Sequence, residues 1–336
     1  MMIIGCDYHP RFEKIALLDQ TTGEIRVHRL EHENGEAKRF YASLPKGTLV
    51  GIEATGSTPW FERLLGACGH ELWVGDPAEI RARKVRKQKT DERDALHLLD
   101  LLMTNRFPRV WVPSPEERDA RQLLQHRQKL VRMRTAVKNQ LHGLAMGQGL
   151  CRKQKLWSES GRKQLEALEL GPWASRRRQE LLTLLDGLDP KIAELDEAVE
   201  AEAARRPEVR RLRMLRGVGS VTGLAYVLTL GTVDRFRRSR QVVSYLGLNP
   251  QEDSSGGHQR FGHITKQGNT MMRWLLVEAG QTAARLDPEL GRVYKRLKVR
   301  RGANVAKIAI ARHLAVRMYW ILRQAPGDGT AGSHVR

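Results

Sequence analysis

The chain has 336 residues, and its 58 Lys and Arg against 38 Asp and Glu give a formal net charge of +20. Charge of that sign and size points to a polyanionic partner, nucleic acid before any other. The length allows two or three domains with well-buried cores. No apolar run approaches the roughly 18–20 residues that cross a bilayer, and no secretory signal opens the sequence, so a membrane protein is not expected. Cys6, Cys68 and Cys151 are far apart and odd in number. They fit no zinc or disulfide pattern and read as small apolar residues in a reducing cytoplasm.

The first third reads as a mixed α/β sheet. Residues 2–6 form an apolar strand followed at once by Asp7. Residues 14–19 and 24–30 flank Thr21-Thr22-Gly23, a hairpin turn. A helix is expected over 33–43, a buried strand over 48–53 that again ends on a carboxylate, Glu53, a helix over 58–68 and a short strand over 71–74. Hairpin strands followed by alternating strand and helix predict this fold class.

Residues 81–95, RARKVRKQKTDERDA, carry six cations in nine positions and then two acids. Arg81, Arg83, Lys84, Arg86 and Lys87 are candidate phosphate contacts. Thr90 can cap the helix that LHLLDLL continues. Asp91 and Asp94, three apart on a helix, share a face and could hold a divalent cation between them. The plainer reading is that Asp91 and Glu92 favour the positive end of a helix dipole. Asp7 and Glu53 at strand ends, in order with this pair, shift the balance towards a metal site. Residues 1–112 then resemble a RuvC-like, ribonuclease-H-type nuclease domain with a DEDD quartet. That resemblance implies Asp7, Glu53, Asp91 and Asp94 as catalytic metal ligands for Mg²⁺, with Glu92 as an alternative in the last pair.

Val112-Pro113-Ser114-Pro115 breaks the preceding helix and reads as an extended linker. Residues 116–144 and 179–204 carry helical stripes, through Leu123, Leu130, Val137 and Leu141, and through Leu182, Leu185, Leu188, Ile192, Leu195 and Val199. Two long amphipathic helices across 113–206 predict a coiled-coil arm whose seam serves packing or self-association. Arg127, Arg132, Arg134 and Lys138 mark either a solvated face or a nucleic-acid track.

A mostly helical third region is expected over 207–336. Leu215-Arg216-Gly217-Val218-Gly219 resembles a helix–hairpin–helix turn in which Gly217 and Gly219 let backbone amides approach a phosphate. A helix over 236–248 precedes Asn249-Pro250. The polar segment 251–269, QEDSSGGHQRFGHITKQGN, then carries Ser254, Ser255, His258, His263, Arg260 and Lys266. Apolar helices over 270–286 and 304–322 follow. A serine before Gly-Gly can be exposed as a nucleophile towards phosphorus if His258, His263 or a metal assists its proton. The alternative is a surface loop that binds phosphate through Arg260 and Lys266.

GCDYHP, VGIEATG, KTDERDA, LRGVGSVTG, YLGLNP and SSGGHQRFGHITKQGN, in this order, resemble the DEDD transposases of bacterial insertion sequences from end to end. This is the "IS one-ten" family, which also contains Piv-type DNA invertases and bridge-RNA-guided recombinases, and the serine segment is most similar to its "IS eleven-eleven" branch. The resemblance implies a composite site in which Mg²⁺ on the acids works with a serine that becomes covalently joined to DNA. Here that nucleophile is Ser255, or Ser254 one residue earlier. It further implies DNA and a guide RNA as partners, a homodimer or tetramer, and a cytoplasmic, nucleoid-associated location in a bacterium. A hydrolytic junction nuclease and a non-catalytic nucleic-acid-binding protein are the competing readings.

Overall fold

A computed structural model describes residues 1–56, 58–84, 90–150, 155–252 and 260–324. The chain divides into two units, Met1–Val112 and Pro113–Arg336. The first is a mixed α/β unit and the second is largely helical. No helix among the described residues is long and apolar enough to cross a membrane.

In the first unit, strands β1 (Met2–Tyr8), β2 (Phe12–Asp19) and β3 (Ile25–Glu31) precede helix α1 (Glu36–Ser43). Then come β4 (Leu49–Glu53), α2 (Pro59–Cys68), β5 (Glu71–Gly75), α3 (Pro77–Ala82) and α4 (Asp91–Met103). The five-stranded sheet has the order β3-β2-β1-β4-β5. β1, β2 and β3 form an antiparallel meander, and β4 and β5 run parallel to β1. Alternation along the strands sorts the core into two layers. Ile4, Cys6, Ile15, Val50 and Ile52 pack with Tyr41, Phe61 and Leu65 on the α1 and α2 side. Ile3, Ala16, Leu18 and Leu49 pack with Ala95, Leu98, Leu99 and Leu102 of α4 on the other.

Gly5 on β1 and Gly51 on β4 are register partners on the α4 side. A Cβ at Gly5 would lie 2.3 Å from both the Ala95 carbonyl oxygen and the Leu99 amide nitrogen, and one at Gly51 would lie 2.8 Å from Leu102. The paired glycines form a trough that brings the backbone of α4 directly against the sheet.

In the second unit the Ser114 hydroxyl caps α5 (Pro115–Gly147) in a capping box with Glu117. α6 (Glu159–Glu166) leads to α7 (Pro172–Ala204). α5 and α7 pack along each other through Val137, Leu141, Leu182, Leu185, Leu188 and Ile192. α8 (Pro207–Leu212), α9 (Ser220–Leu230) and α10 (Ser239–Tyr245) lead to a ribbon of β6 (Pro250–Glu252) and β7 (Phe261–Ile264). α11 (Thr270–Leu286), α12 (Pro288–Arg301) and α13 (Ala303–Arg323) close the unit. Its core joins α8, α9, α10, α11 and α13 with Ala120 and Leu124 of α5 and Val199 and Ala203 of α7.

Several elements depart from the sequence expectations. α10 is shorter than the helix expected over 236–248, because Val233–Arg235 forms a separate 3₁₀ turn and Phe236 is extended. α3, α6, α8 and α12 carry no apolar stripe long enough to announce them. α12 is the clearest case, with Leu290 its single buried residue. Of the cysteines, Cys6 is buried and Cys68 half-buried, and Cys151 lies outside the described residues.

Candidate functional site

The first group of site residues gathers where β1, β4 and α4 meet. In the parallel pairing of β1 with β4, the last register pair is Cys6 with Ile52, so Asp7 and Glu53 follow at the same level on adjacent strands. Both lie on the α4 side of the sheet. Thr90 caps α4 by accepting the Arg93 amide at 3.3 Å, which fixes Asp91 and Asp94 in the first turn. The glycine trough two residues before Asp7 then sets that turn against the ends of β1 and β4.

The side chains do not form one four-membered cluster. Asp7, His9 and Asp91 offer ligand atoms that all lie within 4.8 Å of one another. His9 Nε2 is 3.2 Å from Asp7 Oδ2 and 3.9 Å from Asp91 Oδ1. Asp94 is turned to Lys84, whose Nζ donates to Oδ1 at 2.7 Å. The Glu53 carboxylate is not part of the three-residue group. Burial pushes the Asp7 carboxyl above its ordinary range, His9 pulls it back, and the charges of Asp94 and Asp91 add to the rise. An acid disfavoured as an anion beside two further acids is a place where a cation would be held.

His9 stands in GCDYHP, but the sequence pattern singles out Asp7 and not His9. Asp7 and His9 are two apart at a strand end, so both face the same side. Pro10 then starts a tight turn closed by the His9 amide donating to the Phe12 carbonyl at 3.0 Å. The His9 ring stacks on Phe12 at 4.7 Å, and the Arg29 guanidinium lies 4.0 Å from the centre of the same ring. Acid, one residue, histidine, proline was the available signal.

The opposite layer holds a second polar group. Glu13 is fully buried, accepts the Cys6 thiol at 3.5 Å and lies 3.7 Å from His32 Nε2. Burial by itself would lower the His32 pKa, but Glu13, the Pro10 carbonyl and Glu31 outweigh it and the imidazole is raised. This group lies across the sheet from Asp7.

The basic run is partly spent within the unit. Arg83 pairs with Glu79 at 3.1 Å and donates to the Arg106 carbonyl, and Lys84 holds Asp94. Arg81 is exposed on α3, and Arg86 and Lys87 lie outside the described residues.

In the second unit, Ser254, Ser255 and His258 lie outside the described residues, between β6 and β7. The foot of that ribbon is described. Gly247 and Gly268 both have positive φ, and they interlock. A Cβ at Gly247 would lie 2.2 Å from the Gln267 carbonyl oxygen, and one at Gly268 would lie 2.2 Å from that of Tyr245. The Thr265 amide donates to the Asn249 carbonyl at 2.8 Å and the Lys266 amide to the Gly247 carbonyl at 3.2 Å. The buried Arg273 guanidinium donates to the carbonyls of Gln267 and Leu246 and, at 3.1 Å, to the Thr270 hydroxyl. His263, Arg260 and Lys266 are exposed. Gly217 has a packing reason, since its Cβ would lie 2.6 Å from the Ala279 carbonyl oxygen of α11. Gly219 has open space before it, and the Ser220 hydroxyl beside it donates to Glu200.

Two family models match the chain. The family model for DEDD transposases of the IS110 type, described as "Transposase", matches residues 4–147. One described as "Transposase IS116/IS110/IS902 family" matches residues 209–295. A "Probable family 20 transposase" of Pseudomonas aeruginosa is 30% identical over 328 residues, covering 95% of this chain and 96% of that one. The "Transposase for insertion sequence element IS1111A" of Coxiella burnetii is 30% identical over 317 residues, covering 92% and 86%. A "Transposase for insertion sequence element IS1328" of Yersinia enterocolitica is 27% identical over 296 residues. With matches along both units and relatives spanning nearly the whole length, the chain belongs to the IS110 family of insertion-sequence transposases.

Proposed function

We propose that the protein cuts and rejoins DNA through a covalent serine–phosphate intermediate, using a divalent cation, Mg²⁺, on the acids of the first unit. The observation that carries the reading is the meeting of Asp7 and Asp91 at the carboxyl end of β1, brought there from a strand end and a helix start. The sheet order supports a RuvC-like first unit. Asp7, His9 and Asp91 are the residues that would hold the ion, with Glu53 at the end of β4 and Asp94 in the first turn of α4 completing the quartet. Two carboxylates suit Mg²⁺, and an imidazole in the set extends the fit to Mn²⁺. The bound ion would stabilise charge on the phosphoryl and leaving oxygens.

Ser255 is the proposed nucleophile, with Ser254 the alternative. Its oxygen bonds to phosphorus, the phosphodiester's bridging oxygen leaves and takes up a proton, and the second half-reaction reverses these changes on the new strand. The energy of the broken bond is kept in the phosphoserine, so exchange needs no ATP. Arg260 and Lys266 are proposed to contact the phosphates flanking it, and Arg81 and Gly219 to contact DNA elsewhere. A guide RNA is the partner proposed to select the DNA, and the active form is proposed to be a dimer or tetramer.

The test is a denaturing gel of the protein incubated with its element DNA, guide RNA and Mg²⁺. Ser255→Ala should lose the protein–DNA adduct. Adducts lost only in Ser254→Ala would move the nucleophile by one residue, and nicked DNA without any adduct would overturn the covalent step.

Lys84 gives a second expected outcome. It occupies Asp94 with a cation of the protein's own, so a metal drawn to Asp94 competes with it. Lys84→Met should cost about 1 kcal/mol of metal-free stability. It should also lower severalfold the Mg²⁺ concentration at the midpoint of the thermal shift. An unchanged or higher midpoint would mean that Asp94 takes no part in holding the ion.

A further inference from the structure

α11 and α12 meet at a corner in the chain, Leu286-Asp287-Pro288, and flank a groove of about 960 Å³. Arg285 of α11 and Arg292, Lys295 and Lys298 of α12 line it, with Tyr294 on its wall. Arg292, Lys295 and Lys298 recur every three residues, so they form a row along one helix face with a rise of about 4.5 Å per step. None of the four has a carboxylate partner among the described residues. The acids nearest the corner are already engaged, since Arg317 takes Asp287 at 2.7 Å and Glu289 at 2.6 Å.

Favourable placement at the negative end of a helix dipole explains cations in the last turn of α12, which holds Lys298, Arg300 and Arg301. It also explains Arg285, in the last turn of α11, but not Arg292 and Lys295, which precede the last turn of α12. Four cations lining one concavity repel one another, and an anionic occupant removes that cost. A groove of this volume exceeds what one phosphate fills. The half-buried Tyr294 packs against Ala283, Leu290 and Ile310 and offers its remaining surface to the groove. A cationic groove with an aromatic wall is the combination by which proteins hold unpaired nucleotides.

We infer that the α11–α12 groove is a binding site for single-stranded DNA, with phosphates along Arg285, Arg292, Lys295 and Lys298 and a base against Tyr294. A protein that exchanges DNA strands exposes such segments whenever a duplex is opened. Its residues are none of the acids or serines of the proposed reaction, and its test involves no chemistry.

The full-length protein is titrated in EDTA against a fluorescent oligothymidine, the same length of DNA duplex, and oligouridine, over a range of salt. In the triple variant Arg292→Ala, Lys295→Ala, Lys298→Ala, oligothymidine affinity should fall at least tenfold and the salt slope by about 2. Tyr294→Leu should weaken oligothymidine about tenfold and leave the duplex unchanged, while Tyr294→Phe should restore wild-type binding. Wild-type affinity in the triple variant would overturn the site. Equal losses for duplex and single strand, or a loss confined to oligouridine, would overturn the assignment of its occupant. Because no adduct is read, these outcomes stand apart from those of Ser255→Ala.

Discussion

Asp7→Asn is expected to raise the melting temperature of the metal-free protein at neutral pH while removing both its stabilisation by Mg²⁺ and its DNA cleavage. The folded state holds the Asp7 proton more tightly than the unfolded chain does, because burial and the neighbouring acids disfavour the anion. Stability attached to this group is therefore present at low pH and is lost as pH rises through the carboxyl's raised value. At pH 7 the ionised side chain is a net cost that Asn does not carry. The gain should shrink on acidification and vanish once the wild-type carboxyl is protonated in both states. Mg²⁺ at a hundred times its dissociation constant should stabilise wild-type protein by about 2.7 kcal/mol and leave Asp7→Asn unmoved. Cleavage should fall by at least about a hundredfold, the upper end of what losing even an outer partner of a metal site costs. A lower melting temperature at neutral pH would contradict the electrostatic account, and an intact Mg²⁺ shift would remove Asp7 from the metal site.

Gly5→Ala should produce the largest loss of stability from a single methyl group in the first unit. The added carbon would lie 2.3 Å from main-chain atoms of α4, which no rotamer change can relieve. Overpacking of this kind costs about 1–3 kcal/mol, and backbone obstruction belongs at the upper end. Any relief must lift α4 from the sheet, carrying Asp91 away from Asp7. Gly5→Ala should therefore lower the urea midpoint and, in the fraction that folds, weaken Mg²⁺ binding as well. Gly56→Ala, where no atom lies within 4 Å of the added carbon, is the matched control and should keep the wild-type midpoint. Equal midpoints for the two variants would show that α4 is not seated through this contact.

Much of this arrangement was legible in the sequence, for identifiable reasons. β1, β4 and β5 carry unbroken apolar runs that end on Asp7, Glu53 and the Gly75-Asp76-Pro77 turn. α4 opens at a Thr cap before its acids, and α11 spans the expected residues 270–286. These are elements whose burial pattern is local. What sequence could not supply was side-chain allegiance. Nothing in KTDERDA says that Asp94 turns to Lys84, since that contact depends on where α3 ends relative to α4. His9 joins Asp91 only because the Gly5 trough seats the helix there. The row on α12 is not legible in the sequence because a helix with one buried residue has no apolar period, although its cations repeat at helical spacing.

The foot of the β6–β7 ribbon carries a mechanical consequence. In the proposed reaction Ser255 ties a stiff polymer to the protein while strands are exchanged, so any pull on the DNA is a load on the ribbon. That load runs down the covalent chain on both sides and reaches the helical core at Asn249 and Lys266. There it meets main-chain hydrogen bonds, the interlocked backbones of Gly247 and Gly268, and the guanidinium of Arg273. The first two are main-chain contacts that no rotamer change relaxes, and the third is made by a buried side chain. In that proposed reaction the joint would serve as an anchorage, so that tension in the bound DNA falls on the strands.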